Sequence, residues 1–390
     1  MKRGLSIFFG AATLCAIGGN TLFAQVAPLP AYYGVAPWQP SPSDIATGAP
    51  PLLSIPTFTY TFSAAKDSSV RNGTMVGRSP FGRAKTTTTI NVVLVPVIVN
   101  IGPSTFDPTA VNACFAGGTH TDVDLVQNSP MFQNVPWTMN GISIGTGQHI
   151  DAFRRAEFWS LVSGSNYHTN LSLTTLAAQT MPTSVAAGAT TFSSGCGLLG
   201  ITNINLVDNW LKTVLIPALG ISPTTFPIFL MHNVVMSTDG TLSGCCVLGF
   251  HGATGNPVQT YSPFDFDTTG DFANTSDISV MTHEVGEWLE DPLGTNPTPR
   301  WGNIGQVSTC TSSAGGQTNL EVGDPLSGTI GATLTATPFN GVLYHMQELA
   351  FFSWFFDGAT HASLGAGGKY SDNGTFTGAS GVCPPGGTLP

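Results

Sequence analysis

The rhythm of hydrophobic and polar positions changes several times along the chain, and each change marks a different kind of segment. The first apolar run covers residues 5–17, behind Lys2 and Arg3 and ahead of Gly18, Gly19 and Asn20. A charged start, a short apolar middle and a small residue in Leu22-Phe23-Ala24-Gln25 describe a secretory signal peptide over 1–24, cut after Ala24. Residues 26–57 then carry Pro28, Pro30, Pro37, Pro40, Pro42, Pro50, Pro51 and Pro56. That spacing predicts an extended arm without helix or central strand, and the arm is drawn over 25–85. From Thr86 the text becomes TTTTINVVLVPVIVNIG, a β-branched run that predicts a buried strand, with Pro96 marking a sheet edge or bulge. Helical spacing follows in 152–162 and 207–219, the latter broken near Pro217. Strand-like text occupies 225–237, 245–252 and 259–266, a helix is predicted over 276–292, and a further strand lies within 341–356. There is no fixed-period repeat.

This order predicts an α+β fold, a mixed twisted sheet with one isolated helix after a set of strands. The composition agrees with a large core. Of 390 residues, 42% are hydrophobic and only 9% charged, which excludes wholesale disorder. Twelve Lys+Arg against 22 Asp+Glu give a net charge of -10, the wrong sign and too few cations for a nucleic-acid surface. Nothing after residue 25 is an apolar run long enough to span a bilayer. The expected location is extracellular, with the periplasm as the alternative compartment. In such an oxidising compartment Cys114, Cys196, Cys245, Cys246, Cys310 and Cys383 are expected to pair as disulfides. The adjacent Cys245 and Cys246 are expected to reach different partners, because a bridge between neighbours distorts the backbone. Cys15 leaves with the signal peptide. No pair has the spacing of a thiolate zinc site.

The chemistry concentrates in His283-Glu284-Val285-Gly286-Glu287, inside the helix predicted over 276–292. A helix turns about 100° per residue, so His283 and Glu287 present an imidazole and a carboxylate from one face, a two-ligand platform for zinc. Glu284 lies beside the first ligand, where a carboxylate can take a proton from water and return it to a leaving amine. Met281, Val285, Trp288 and Leu289 form the apolar stripe. Gly286 costs about 1 kcal/mol relative to alanine in mid-helix and points to close packing there. Ser276 or Asp277 is expected to cap the start, and Pro292 ends the helix. The five residues taken alone also suit an ordinary surface helix with a wet face, and Glu287 stands where the zincin signature HExxH has histidine. Downstream come Asp291-Pro292, Trp301 and Asn319-Leu320-Glu321-Val322-Gly323-Asp324. Glu321 and Asp324 are the only acids between Asp291 and Glu348, so one can be the third ligand and the other can orient a histidine. Glu321 is favoured as ligand because its longer side chain reaches farther. Asp324 is then expected to accept a hydrogen bond from His283.

This train, HExxE, Asp-Pro, Trp and Glu-Val-Gly-Asp, resembles a group of secreted bacterial and fungal proteins of zincin type that carry HExxE, DP, W and E(I/V)GD in the same order. Upstream, Cys246-Val-Leu-Gly249-Phe250-His251-Gly252 resembles the Cys-Gly-(Phe/Tyr)-His-Gly segment of the plant EXORDIUM, or phosphate-induced, extracellular proteins, whose counterpart of the helix lacks the histidine and glutamates. The likeness covers roughly residues 225–355. It implies a zincin-like metallopeptidase domain over 86–390 with an active-site helix and a loop-rich, disulfide-stapled C-terminal part. It implies His283 and Glu287 as ligands, Glu284 as base, Glu321 or Asp324 as third ligand, Zn2+ as cofactor, and an extracellular protein or peptide as substrate. The alternative is a non-catalytic extracellular interaction protein on the same scaffold. Two carboxylates and one imidazole make a harder site than HExxH, at which calcium or manganese compete better with zinc.

Weaker signals complete the reading. His251 follows a strand and reads more readily as a structural histidine than as a cleft residue. Tyr344 or His345 can serve an oxyanion, although their alternation equally describes a half-buried strand. Asp265, Asp267, Thr269, Gly270 and Asp271 imitate the first half of a calcium loop, but Ser276 stands at the twelfth position, so only a looser Ca2+ site is expected.

Overall fold

A computed structural model describes residues 28–65, 67–193, 195–302, 317–327, 334–356 and 367–376. The expected signal peptide and the cysteines Cys310 and Cys383 lie outside them.

The main body is an eleven-stranded mixed sheet. Its central strand, Thr88–Ile101, is the β-branched run, and Thr225–His232 and Thr169–Thr175 lie parallel to it on either side. Residues Ile90, Val92 and Leu94 face one apolar core while Val95, Val97 and Val99 face the other. A strand buried on both faces reads as a continuous apolar run, which is how this one appears in sequence. Pro96 is therefore interior rather than at an edge. On one side the partner changes at this point, from Leu94 opposite Thr175 to Val97 opposite Gln179, so the missing N–H falls at a break between two short partners.

Beyond Thr225–His232 the sheet continues with Gln259–Phe266, then antiparallel to Cys245–Thr254, here called the histidine strand. The arm is more ordered than its prolines suggest. Tyr32–Ala36 adds to the histidine strand as a parallel partner, with Val35 opposite His251. Pro42–Thr47 is helical, with Ser41 as N-cap and Pro42 in the first turn, where a missing N–H costs nothing. Residues 57–63 and 70–76 form a hairpin.

Helices cover both faces of the sheet. The helix predicted over 276–292 runs as Ser279–Glu290, the site helix, and all of its residues are buried rather than half wet. Trp288 docks it by stacking on Phe226, with ring centroids 3.8 Å apart, and by donating to Thr260 Oγ1 at 3.0 Å. A Cβ on Gly286 would come within 2.6 Å of Leu349, so this position takes no larger residue without a shift. Neither Ser276 nor Asp277 caps the helix. Ile278 holds the N-cap position without a side-chain bond, and Asp277 instead accepts from Ile278 N and His345 N. His149–Glu157 packs on the same face, and Ile204–Trp210 lies on the other. No helix of the described residues is long and apolar enough to cross a membrane.

Cys114 pairs with Cys196. Cys245 and Cys246 are bonded to each other, against the expectation of separate partners. The peptide between them is cis and the Cα atoms are 3.0 Å apart.

Candidate metal centre

The histidine strand crosses the site helix so that His251 meets Glu284 and Glu287, His283 lies beside Glu287, and the loop after Gln317–Asn319 brings Glu321 to His251 and Asp324 to His283. None of the six is more than 4% exposed.

Each histidine has one ring nitrogen committed, and the geometry fixes which. The Gln347 amide donates from Nε2 to the Gly323 carbonyl at 2.8 Å, which leaves its Oε1 beside His283 Nδ1 at 3.1 Å. An amide oxygen only accepts, so Nδ1 carries the proton and Nε2 keeps a bare lone pair. That lone pair faces Glu287 Oε1 at 3.0 Å and Asp324 Oδ1 at 3.6 Å. His251 is held the opposite way. Its Nε2 lies 3.2 Å from the Asp291 carbonyl, again an acceptor, so Nε2 carries the proton. Its Nδ1 lone pair faces Glu284 Oε2 at 3.4 Å and Glu287 Oε2 at 3.6 Å. Two imidazole lone pairs thus confront carboxylate oxygens. His251 Nδ1, His283 Nε2, Asp324 Oδ1, Glu321 Oε2 and both oxygens of Glu284 are buried without a hydrogen-bond partner of good geometry. Lone pairs facing lone pairs repel unless a proton or a cation lies between them.

The spacing fits one. Around a tetrahedral ion with ligands at about 2.1 Å, neighbouring ligand atoms lie about 3.4 Å apart. Two groups of donors come within 4.8 Å of one another: His283, Glu287 and Asp324, and His251, Glu284 and Glu287. Each imidazole has its second nitrogen hydrogen-bonded to an oxygen, as metal-binding histidines require.

Electrostatics point the same way. Burial pushes Glu287 up to about 8 and, with help from the Glu287 charge, Asp324 up to about 8. Burial and neighbouring carboxylates drive Glu284 and Glu321 well above the usual glutamate range, while burial lowers His283 to about 4. A divalent cation reverses this order, because it favours ionised carboxylates.

Every part of the motif train has a place here. The Asp291 carboxylate accepts from Thr295 N at 2.9 Å and Asn296 N at 2.8 Å, which fixes the turn whose carbonyl holds His251. Trp301 donates to the Asn319 carbonyl at 3.0 Å and so anchors the loop carrying Glu321 and Asp324. A side chain on Gly323 would overlap the His283 ring. The N–H groups of Gly323 and Asp324 both donate to Glu287 Oε1 at 3.2 Å.

The two downstream acids are arranged differently from the chain-reach expectation. It is Asp324 whose free oxygen stands beside His283, and it is Gln347, not Asp324, that fixes the His283 tautomer. Glu321 lies by His251, 3.8 Å from Nε2, with its other oxygen accepting from Asn319 at 2.6 Å. Tyr344 is buried in its hairpin and His345 is paired with Asp277 at 2.6 Å, so neither is in the cluster. Asp267 is used by its own turn, accepting from Thr269 N and Oγ1, and Asp265 accepts from Val234 N. Neither they nor Asp271 belong to the donor groups found among the described residues. Sequence reasoning read His251 as a structural histidine, and the fold sets it beside Glu284 and Glu287; it missed Gln347 and Tyr33, whose ring stacks on His283 at 3.8 Å. Beside Tyr33 a cavity of about 160 Å³ reaches Glu287, Glu321 and Asp324.

No protein-family model, curated protein or solved structure matches the chain.

Proposed function

We propose that the protein is a secreted, zincin-like metal-dependent hydrolase that cleaves peptide bonds in extracellular proteins or peptides. The observation that supports this most is the buried His283 Nε2, which has no hydrogen-bond partner of good geometry and faces carboxylate oxygens of both Glu287 and Asp324. His283, Glu287 and Asp324 would hold the cation, with zinc the first candidate and manganese or calcium its competitors at so anionic a set. When bound, such an ion supplies Lewis acidity toward a carbonyl and toward water.

The chain's own groups do the rest. Gln347 keeps the His283 lone pair directed at the ion, and the Gly323 and Asp324 N–H groups hold Glu287 in place. Neither oxygen of Glu284 has a hydrogen-bond partner of good geometry, so an ionised Glu284 can take a proton from the attacking water and pass it to the leaving amine. Secretion rests on the pattern of residues 1–24.

The depth of burial favours a second reading, a non-catalytic extracellular interaction protein on the same scaffold. A cavity of about 160 Å³ is smaller than the roughly 300–1,000 Å³ of usual ligand sites. A broad peptide library, assayed with and without chelator, separates the two. Chelator-sensitive cleavage that Glu284→Gln abolishes while the metal stays bound supports the hydrolase. Full cleavage by that variant contradicts the role given to Glu284, and no cleavage by metal-loaded protein favours the second reading.

A further inference from the structure

Glu287 divides its two oxygens between two histidines, Oε1 toward His283 and Oε2 toward His251. We propose that the His251 side builds a second cation position, held by His251 Nδ1, Glu284 Oε2 and Glu287 Oε2, so that Glu287 bridges two divalent ions. The inference rests on the metal reading above and extends it.

The donor set is as complete as the first. His251 Nδ1 stands 3.4 Å from Glu284 Oε2 and 3.6 Å from Glu287 Oε2, close to the edge of a tetrahedron around one ion. His251 is 0% exposed and its Nδ1 has no hydrogen-bond partner, while the Asp291 carbonyl holds the proton on the far nitrogen. A purely structural histidine ordinarily has both ring nitrogens hydrogen-bonded, and Nδ1 here has no partner of good geometry. Gly249 lies against Glu284, and a Cβ there would press on Val280 and the Glu284 side chain, so the strand leaves room for that carboxylate. One imidazole and two carboxylates suit zinc or manganese.

The two positions share only Glu287, and carboxylate-bridged pairs hold their ions about 3.5–4 Å apart. The second ion therefore sits in the field of the first and binds more weakly. It also uses Glu284, which cannot be a ligand and a proton acceptor at once. Filling the second position silences the base, so excess metal turns the activity off.

The test titrates metal-free full-length protein with Zn2+ by equilibrium dialysis and with Mn2+ by electron paramagnetic resonance. Wild type should take up two equivalents, the second at least tenfold more weakly, and His251→Gln should take up one. At two equivalents of Mn2+ the six-line signal of isolated ions should give way to an exchange-coupled spectrum, a measurement that needs no variant. One equivalent in wild type, or two with only isolated-ion signals, overturns the second position and leaves the first intact. No binding at all overturns the metal reading itself.

Discussion

Two groups of buried acids lie along one helix, and they differ in what neutralises them. At its end, Glu290 lies 2.7 Å from Arg154 Nη2, and Glu157 Oε2 lies 3.7 Å from Arg154 Nε. Arg154 is 0% exposed and also donates to the Leu289 carbonyl at 3.0 Å, so a permanent cation from His149–Glu157 ties that helix to the site helix. One turn earlier, Glu284 and Glu287 face two imidazoles whose lone pairs point at them. The first group has a permanent cation among its carboxylates, although Arg154 Nε and Nη1, Glu157 Oε2 and both oxygens of Glu290 lack a hydrogen-bond partner of good geometry. The second meets only imidazoles among the described residues. Burial of acids alone does not mark a functional site; the missing built-in counter-ion is what separates the second group from the first and motivates the metal reading.

Removing the built-in ion should have the largest effect. Arg154→Met strands two buried carboxylates and should cost about 3–5 kcal/mol in denaturant unfolding. A loss under about 1 kcal/mol would mean that the carboxyls there are neutral and that the contrast drawn above fails.

The site should respond to chelator instead. With free zinc at about a hundred times the dissociation constant of the His283 position, metal bound there adds about 2.7 kcal/mol, so chelation should destabilise wild type by about that much more than His283→Ala. An equal response from both proteins would place the cation elsewhere.

Acidity sharpens the same contrast. In the cation-free protein, Glu287 and Asp324 sit near 8, against ordinary values of 4.5 and 3.8. The folded state then holds protons that the unfolded chain has released, so stability falls as pH rises from about 4 toward 8. Metal-loaded protein should not show this fall, since a cation keeps both carboxylates ionised. Melting curves of the two forms across that range decide it.

A smaller effect is expected at the tautomer-fixing amide. Gln347→Leu should weaken zinc affinity by tenfold to a hundredfold without emptying the site, as read by competition with a chromophoric chelator. Unchanged affinity would remove Gln347 from the account.

Much of this was legible because it is local. The β-branched run of Thr88–Ile101, the site helix with its His-Glu-x-x-Glu spacing and the stop at Pro292 all follow from periodicity and side-chain type. The loop bearing Glu321 and Asp324 was found because few other acids were at hand. What escaped depends on register between distant strands. His251, on its strand, looks like any buried histidine until the Asp291 carbonyl assigns its proton. Gln347 is uncharged, and its role comes from a hairpin that packs 64 residues away from His283. Arg154 reads as the polar face of an amphipathic helix, and only tertiary packing 135 residues away shows it pinned to the Leu289 carbonyl. Tyr33 lies in an arm whose prolines hide a strand, because a single parallel partner tolerates prolines at its flanks. The ranking of Glu321 over Asp324 by length failed to describe the geometry, since Gly323 lets the loop backbone itself come against His283.

Anomalous diffraction at the zinc absorption edge, from crystals of protein loaded with one equivalent of zinc, tests the central claim most directly. The account predicts one strong peak at about 2.0–2.2 Å from His283 Nε2, Glu287 Oε1 and Asp324 Oδ1. A map with no peak there, and His283 Nε2 instead bonded to a protonated carboxyl, would contradict it.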